Sequence, residues 1–509
     1  MAWISSLFSG SKGPVALIES DQVYQTNFHD NTQIFDLVII ASVWQFNDVL
    51  DPIKLHSSLN RLLEIDDWRK LGGRFRRVAG SRKLQIHVPT PYTSQRPAVA
   101  FSHEVLSMKL REHALADKFP KPTNRPSFHP ASEDLGPLVL RRDQPQTLQD
   151  LLARDEPMLS LRIVSFSDAT LVSLTWPHNL MDANGVGLLA SAWSLVLAGQ
   201  EDEVPPVSSV GRDILYEAAS SGAAQQEESV IADSRLSGLS MVPFARSLLW
   251  DMYWNKMESR VVHLPKEFVK KLRAETLDEA KKEQHEAGGP EPWISEFDAI
   301  LALWLSNLAR SQSKPNSLTM CLPFDCRKRL PGIINQDDTH VENMVLNNFT
   351  LLSAEEANAS VGSIAWNIRK ELMRQTTPAQ VLAALRIKKV QWDKGDNAAP
   401  VHTKPDSTLY VTTNWAAAKH FTVAQFGPAV VKQGETGQQR ENPLGSPALY
   451  HAFTVKPAWT NRNYLMTTGK DHRGDVWLHG TFTAQTWALI EKSIGCRLIH
   501  LKEFDSAVH

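Results

Sequence analysis

The sequence is poor in cysteine, with three in 509 residues: Cys321, Cys326 and Cys496. An odd number cannot pair completely, and their spacing gives neither a CxxC zinc pair nor a disulfide framework, so a reducing, cytoplasmic setting is expected. Excess positive charge is missing as well. Lys+Arg number 54 against 56 Asp+Glu, a net charge of -2, which leaves nothing to grip a nucleic-acid backbone. No stretch approaches the ~18 uninterrupted apolar residues of a membrane span. The opening MAWISSLFSGSK has neither the basic start nor the long apolar middle of a secretion signal, so neither export nor a membrane span is expected. Three motifs are absent too: the GxSxG nucleophile elbow, the GxxxxGK[ST] phosphate loop and the HExxH metal helix. Gly469-Lys470 is followed by Asp471, which defeats a phosphate-loop reading, and no metal site is expected.

What is present is ordinary for a folded chain: 42% hydrophobic and 22% charged residues. The 15 Trp point either to deep apolar pockets or, more simply, to a Trp-rich core. Phe35 to Phe46 reads as a buried strand. Pro52 to Leu63 sets Leu55, Leu59, Leu62 and Leu63 on one helical face, with Asp51 as N-cap. Val88 to Pro145 is dense in proline and reads as irregular connection. Met158 to Ser167 and Thr170 to Trp176 are strands, and Val186 to Leu197 is an apolar helix. After Gln200 a Pro-, Ser- and Glu-rich stretch reads as a surface crossover. Beyond it come a strand at Ser259 to Leu264, a charged helix at Lys266 to His285, and a capped apolar helix at Ser295 to Leu308. Strand-like segments follow at Leu318 to Pro323, Leu346 to Leu352, Leu409 to Thr413, Phe421 to Phe426, Tyr464 to Thr468 and Val476 to Thr483, then a helix at Ala484 to Ile494. The pattern gives an α/β chain of two similar halves: 1–205, a crossover at 206–257, and 258–509.

HxxxD spacings include His178 to Asp182 and His402 to Asp406. The second lies in a polar, Pro-containing stretch and reads as a loop accident. His178 instead follows a hydrophobic strand and precedes an apolar helix, where a side chain can face a cleft; its bland alternative is a histidine hydrogen-bonded in a turn. Gly185 to Ala190 also fits GxGxxA, but the strand ends too far upstream for a dinucleotide turn. The glycines are better explained as letting the helix pack closely.

These residues resemble a known family. HNLMDANG at 178–185 is similar to the HxxxDG signature of the BAHD acyltransferases, especially their fungal branch. Trp68 to Arg76 (WRKLGGRFR) resembles the family's LAGRLR segment, and Ile294 to Trp304 its StfdaLsAhiW helix. Asp325-Cys-Arg327-Lys-Arg329-Leu resembles D-x-R-x-R-[LM], and Thr413-Asn414-Trp415 stands where the family has [ST]-S-W. The landmarks keep the family's order over nearly the whole chain. The family's DFGWG departs here to Gln425-Phe-Gly-Pro-Ala429, lacking the acid and the Trp-Gly.

The resemblance implies a chloramphenicol-acetyltransferase-like fold and an acyl-CoA co-substrate, with no permanently bound cofactor. The acyl group, acetyl or another short chain, would pass to a hydroxyl, less readily an amine, of a hydrophobic small molecule in fungal secondary metabolism. His178 suits the general base, since a neutral imidazole can take the acceptor's proton. The family pattern turns Asp182 away to pair with Arg327, a positioning role. Thr413 or Asn414 would supply the oxyanion donor, while Trp415, Gly185 and Trp176 are expected at the substrate pocket. Ser173 and Ser191 lack an assignable base, so direct transfer is expected without an acyl-enzyme. A monomer is the default for such a two-half fold. The alternatives are a pocket repurposed as a cyclase or isomerase, carrier-protein-dependent condensation, which Pro177 in place of a second histidine disfavours, and an inactive binding protein.

Overall fold

Strands Ile39–Phe46 and Thr170–Pro177 are buried at every position, which requires both faces of their sheet to be covered. In the computed structural model, which describes residues 17–131, 135–335, 337–434, 440–456 and 461–507, with side chains of the last helix to Leu498, these two strands pair antiparallel at the centre of a five-stranded sheet. The opening segment read above for a secretion signal lies outside the described residues. The sheet runs Leu449–Thr454, Ile39–Phe46, Thr170–Pro177, Ser160–Ser165, Ala100–Val105. Helix Pro52–Leu62, capped by Asp51 through the N–H groups of Ile53 and Lys54, and helix Ala183–Leu197 belong to the same core, where Leu59 and Trp193 are fully buried.

A seven-stranded sheet forms the other half, in the order Val345–Leu352, Leu318–Asp325, Thr408–Asn414, Tyr464–Lys470, Val476–Thr483, Met257–Leu264, Ser127–Pro130. Thr408–Asn414 is parallel to both neighbours. The apolar helix Glu296–Arg310 begins at Ser295, whose side chain caps Asp298 N–H and is answered by the Asp298 carboxylate on its own N–H. It buries Trp304 in the second core together with helix Val361–Gln375.

The fold class is the mixed α/β arrangement expected, but the halves exchange edges. Leu449–Thr454 comes from the second half and completes the first sheet, while Ser127–Pro130 comes from the first half and completes the second. Val430–Gln433 pairs with Asp48–Leu50 as a third link. Each exchange covers a sheet edge that would otherwise be exposed.

Some sequence readings need correction. The proline-rich Val88 to Pro145 stretch holds two strands, Ala100–Val105 and Ser127–Pro130, both edge strands too short to leave a period. Phe421 to Phe426 is not a strand: Lys419 at φ 53° turns the chain into a short helix, His420–Val423. The crossover also contains a helix, Met241–Trp254, with Pro243 in its first turn, where a missing N–H costs nothing. No helix of the described residues is long and apolar enough to cross a membrane.

Candidate active site

The central strand Thr170–Pro177 delivers His178 to the sheet's end, where its N–H donates to Val38 O at 2.9 Å. The chain then turns, and Asp182 caps helix Ala183–Leu197 by accepting Gly185 N–H on Oδ1 at 2.9 Å. The helix thus starts three residues earlier than its apolar pattern suggests. Gly185 has a packing reason: a Cβ there would lie 2.2 Å from Val341 O, closer than any side chain tolerates.

The His178 carbonyl accepts from Asn343 Nδ2 at 2.7 Å. The same amide nitrogen donates to Asp30 Oδ1 at 2.8 Å, and Asn343 N–H reaches that oxygen too. The imidazole stacks on Phe35, centroids 4.2 Å apart and planes 7° from parallel. Its Nδ1 is turned into the protein, which leaves Nε2 as the nitrogen able to meet a substrate. Burial holds the His178 pKa below its ordinary 6.5, against weaker upward pulls from its own backbone, from Asp182 and from Asn343. The ring is therefore a neutral base at physiological pH.

Asp182 does not touch the imidazole. Its Oδ2 accepts from Arg327 Nη1 at 2.9 Å and from Met344 N–H at 3.0 Å, and its Oδ1 from Arg327 Nη2 at 3.1 Å. Arg327 also donates to Asp325 and to the carbonyls of His340 and Glu342. Burial works against the guanidinium's charge, but Asp182 and Asp325 raise its pKa above the usual value. The structure brings Asp182 and Arg327 together as the resemblance implied, and Asn184 Nδ2 adds a bond to Asp325 at 3.1 Å.

Thr413 and Asn414 end the strand Thr408–Asn414, the first half-buried and the second exposed. Asn414 Oδ1 accepts Ala416 N–H at 3.0 Å, which fixes the turn and leaves only its amide nitrogens to donate. Trp415 N–H donates to Thr467 O at 2.8 Å, and its ring packs half-buried against the first core. The turn that follows lies against the helix after His178: a Cβ on Gly187 would sit 2.7 Å from Ala418 O. Trp176 and Gly185 are corrections. Trp176 is fully buried in the first core with its indole N–H on Met181 O, because the centre of a sheet covered on both faces leaves it no cleft. Gly185 is a helix-packing position, held against Val341. His402, read as a loop accident, is buried; its Nδ1 lies 3.1 Å from both Ser234 Oγ and Ile231 O.

Sequence reasoning missed Asp30, Phe35 and Asn343, which lie in short turns or irregular backbone with no motif around them. Behind them sits a buried group of ionisable side chains. Burial pushes Asp30 up to about 8 and Lys388 down to about 7, and it lowers His29 well below 6.5.

No protein-family model matches the chain. Known proteins do: it is 33% identical over 498 residues to acetyltransferase BOT5 of Botryotinia fuckeliana, across 93% of this chain and 90% of that one. The chain belongs to the BAHD acyltransferases. A second relative, O-acetyltransferase PaAT-2 of Phomopsis amygdali, is 33% identical over 467 residues, 89% of this acyltransferase and 94% of its relative. The acyltransferase also superposes on F. graminearum TRI101, solved with coenzyme A and T-2 mycotoxin, with a TM-score of 0.64 at 12% identity, over 92% of this chain and 96% of that one. Vinorine synthase gives a TM-score of 0.56 at 13% identity, over 93% of both chains.

Proposed function

We propose that this acyltransferase moves an acetyl or other short acyl group from a CoA thioester to a hydroxyl, less readily an amine, of a hydrophobic small molecule in fungal secondary metabolism. The observation that carries the reading is the state of His178: half-buried, neutral and at the end of a rigid strand, with Asp182 committed to Arg327. BOT5 and PaAT-2 bear acetyltransferase names, and TRI101 is solved in complex with coenzyme A and T-2 mycotoxin.

In this reading His178 Nε2 takes the hydroxyl proton as the acceptor oxygen attacks the thioester carbonyl. The Thr413 hydroxyl or the Asn414 amide donates to the resulting oxyanion. Collapse breaks the carbon–sulfur bond, and the departing thiolate takes the proton from the imidazolium. Transfer is direct, in a ternary complex, and Asp182 only positions the loop. Trp415 borders the acyl group. The Gln425-Phe426 element lacks the family's acid and Trp-Gly but keeps a packing role, with Phe426 buried between Phe46 and Trp193. The enzyme works as a monomer in the cytoplasm, a setting that suits its three free cysteines.

Calorimetric titration with acetyl-CoA tests the donor, and thiol release in the presence of a panel of hydrophobic alcohols and amines tests the transfer. Saturable binding at micromolar to millimolar acetyl-CoA is expected. A flat titration throughout that range would overturn the reading and favour a cyclase, an isomerase or a carrier-bound donor.

A further inference from the structure

A helix on a protein surface turns its apolar side inward and its polar side to water. Helix Met241–Trp254, in the crossover between the halves, does the reverse. Phe244 is its buried residue, with Met241, Pro243, Leu248 and Asp251 half-buried around it. Its outward side carries Val242, Leu249, Trp250, Met252, Tyr253 and Trp254, all exposed. At about 100° per residue Val242, Leu249 and Tyr253 fall within roughly 40° of one another, flanked by Trp250 and Trp254 on one side and Met252 on the other. Trp250, Tyr253 and Trp254 are 67%, 79% and 61% exposed and still touch one another, the two indoles 5.6 Å apart and the phenol ring 4.9 Å from Trp254. Other exposed large apolar side chains of the described residues are scattered along the chain, which is ordinary for a folded protein. Gathered on one helix, they mark an interaction surface.

We propose that this face rests on the surface of a membrane containing anionic lipid, with the helix lying in the headgroup region. Its charges point the same way. Residues 241–256 hold three formal charges, on Arg246, Asp251 and Lys256. Asp251 is neutralised by Arg462, whose Nε lies 2.7 Å from its Oδ2, while Arg246 and Lys256 are exposed with no ion-pair partner among the described residues. The local excess is therefore positive, complementary to a lipid phosphate or carboxylate. Arg246 stands in the apolar stripe, about 40° from Val242, so its stem can lie along the rings while the guanidinium meets a phosphate. Trp and Tyr, apolar in the body and polar at the tip, suit the same depth. A second copy of the chain fits less well. The 14-residue helix is about 21 Å long, and a face ~10 Å wide offers ~200 Å², far below the ~800 Å² per partner of a stable interface. A bilayer sets no such minimum, since an amphipathic helix binds it in proportion to the apolar area and cations it offers. The helix is also held firmly to the protein. Arg462 bonds the carbonyls of Asp251 and Asn255, both at 2.8 Å, and leads into strand Tyr464–Lys470, whose Thr467 carbonyl holds Trp415. Five residues of chain, at most ~17 Å, therefore separate the membrane anchor from the turn beside the candidate site.

Sedimentation of the full-length protein with vesicles tests this without reference to turnover. Vesicles of phosphatidylcholine alone are compared with vesicles in which about a third of the lipid is phosphatidylserine, at lipid concentrations up to millimolar. The wild type should bind the mixed vesicles and prefer them. Trp250→Ser combined with Tyr253→Ser and Trp254→Ser should keep the melting temperature, since all three side chains are exposed, and bind at least ~10-fold more weakly. Arg246→Gln with Lys256→Gln should weaken binding to the mixed vesicles about 10-fold and abolish the preference for them. Trp250→Phe with Trp254→Phe should bind like the wild type but lose the quenching of tryptophan emission that brominated acyl chains cause in the wild type. If the serine variant fails to fold, that quenching and its loss in the phenylalanine variant decide the question. A wild type that stays in the supernatant at every concentration of mixed vesicles would overturn the proposal, as would a folded serine variant that binds like the wild type. Equal binding of the wild type to both vesicle types would overturn the anionic partner. Light scattering that finds a wild-type dimer and a monomeric serine variant would give the face to a second copy instead. The outcome is independent of the acetyl-CoA titration, so the two readings fail separately.

Discussion

Asp182 and Arg327 meet through two hydrogen bonds of 2.9 and 3.1 Å although 145 residues separate them in the sequence. The pair ties the loop that carries His178 to the end of a strand in the other sheet, Leu318–Asp325, two residues beyond which Arg327 lies. Its side chains are only 5% and 11% exposed, so the attraction is little screened and neither charge can be left alone without a large desolvation cost.

Asp182→Ala should therefore cost ~3 kcal/mol of stability, the low end for a broken buried pair, since Arg327 loses one of its two carboxylate partners while keeping Asp325, and helix Ala183–Leu197 loses its cap. Denaturant unfolding of both proteins measures this. An Asp182→Ala enzyme with unchanged unfolding but slower turnover would mean that Asp182 serves the chemistry instead.

His178→Ala should retain the fold and lose ~10²–10⁴-fold in kcat, the usual worth of a general base. His402→Ala, the control with the same HxxxD spacing, should keep kcat. It should lose stability by about 1 kcal/mol, because its ring bonds Ser234 and Ile231 inside the protein. Equal loss of kcat from both would show that strand-end position does not distinguish a base.

The pH dependence follows from the sign of the His178 shift. Burial lowers its folded pKa below 6.5, so the imidazole stays unprotonated, and active, at pH values where a free histidine is already half charged. The acid limb of kcat/KM should have its midpoint below 6.5. A midpoint clearly above that value would require an additional negative charge near the ring and would contradict the arrangement in which Arg327 holds Asp182.

Much of this site was legible because its residues sit at changes of pattern. His178 follows a largely apolar strand and Asp182 precedes an apolar helix, so both boundaries carried a signal that the spacing alone did not. Arg327 was reached through family resemblance, since nothing local links it to a position in the other half. Phe35, Asp30 and Asn343 were invisible for a physical reason: they lie in short turns or irregular backbone, and their contacts join segments as much as 313 residues apart. Trp176 was misread because burial at a sheet centre depends on what covers each face, which a strand's own residues do not report. The exchanged strands Ser127–Pro130 and Leu449–Thr454 were missed likewise, as four- and six-residue edges between prolines leave no period.

His420 offers a separate test of burial. Neither of its ring nitrogens has a partner, the ring stacks on Tyr450 at 4.2 Å, and burial pushes its pKa down to about 3. The unfolded chain would protonate it near 6.5 while the folded one would not, so stability present above pH 6.5 is lost as the pH falls from 6.5 toward 3. Between pH 7.5 and pH 5 this single group accounts for roughly 2 kcal/mol. His420→Phe keeps the stack and removes the titration, so it should be about 2 kcal/mol less acid-sensitive over that interval. An identical pH dependence in variant and wild type would mean that His420 is hydrated.

Two tryptophans separate packing from function. Trp193 is fully buried, its indole N–H donates to Leu55 O at 3.1 Å and Ser58 Oγ at 2.9 Å, and its ring lies 4.5 Å from Phe426. Trp193→Ala should cost ~3–5 kcal/mol, with kcat per folded molecule unchanged. Trp415 is only half-buried, and its backbone, held on Thr467, fixes its place whatever the side chain. Its ring closes the turn that packs on the helix after His178. Trp415→Ala should thus cost less stability but about 10²-fold in kcat, as the acyl group loses the wall that positions it. Unfolding free energies and single-turnover rates measured on the same preparations give both quantities. If Trp415→Ala proved as destabilising as Trp193→Ala while retaining kcat, Trp415 would be a core residue, and the placement of Thr413 and Asn414 beside the reacting carbonyl would fall with it.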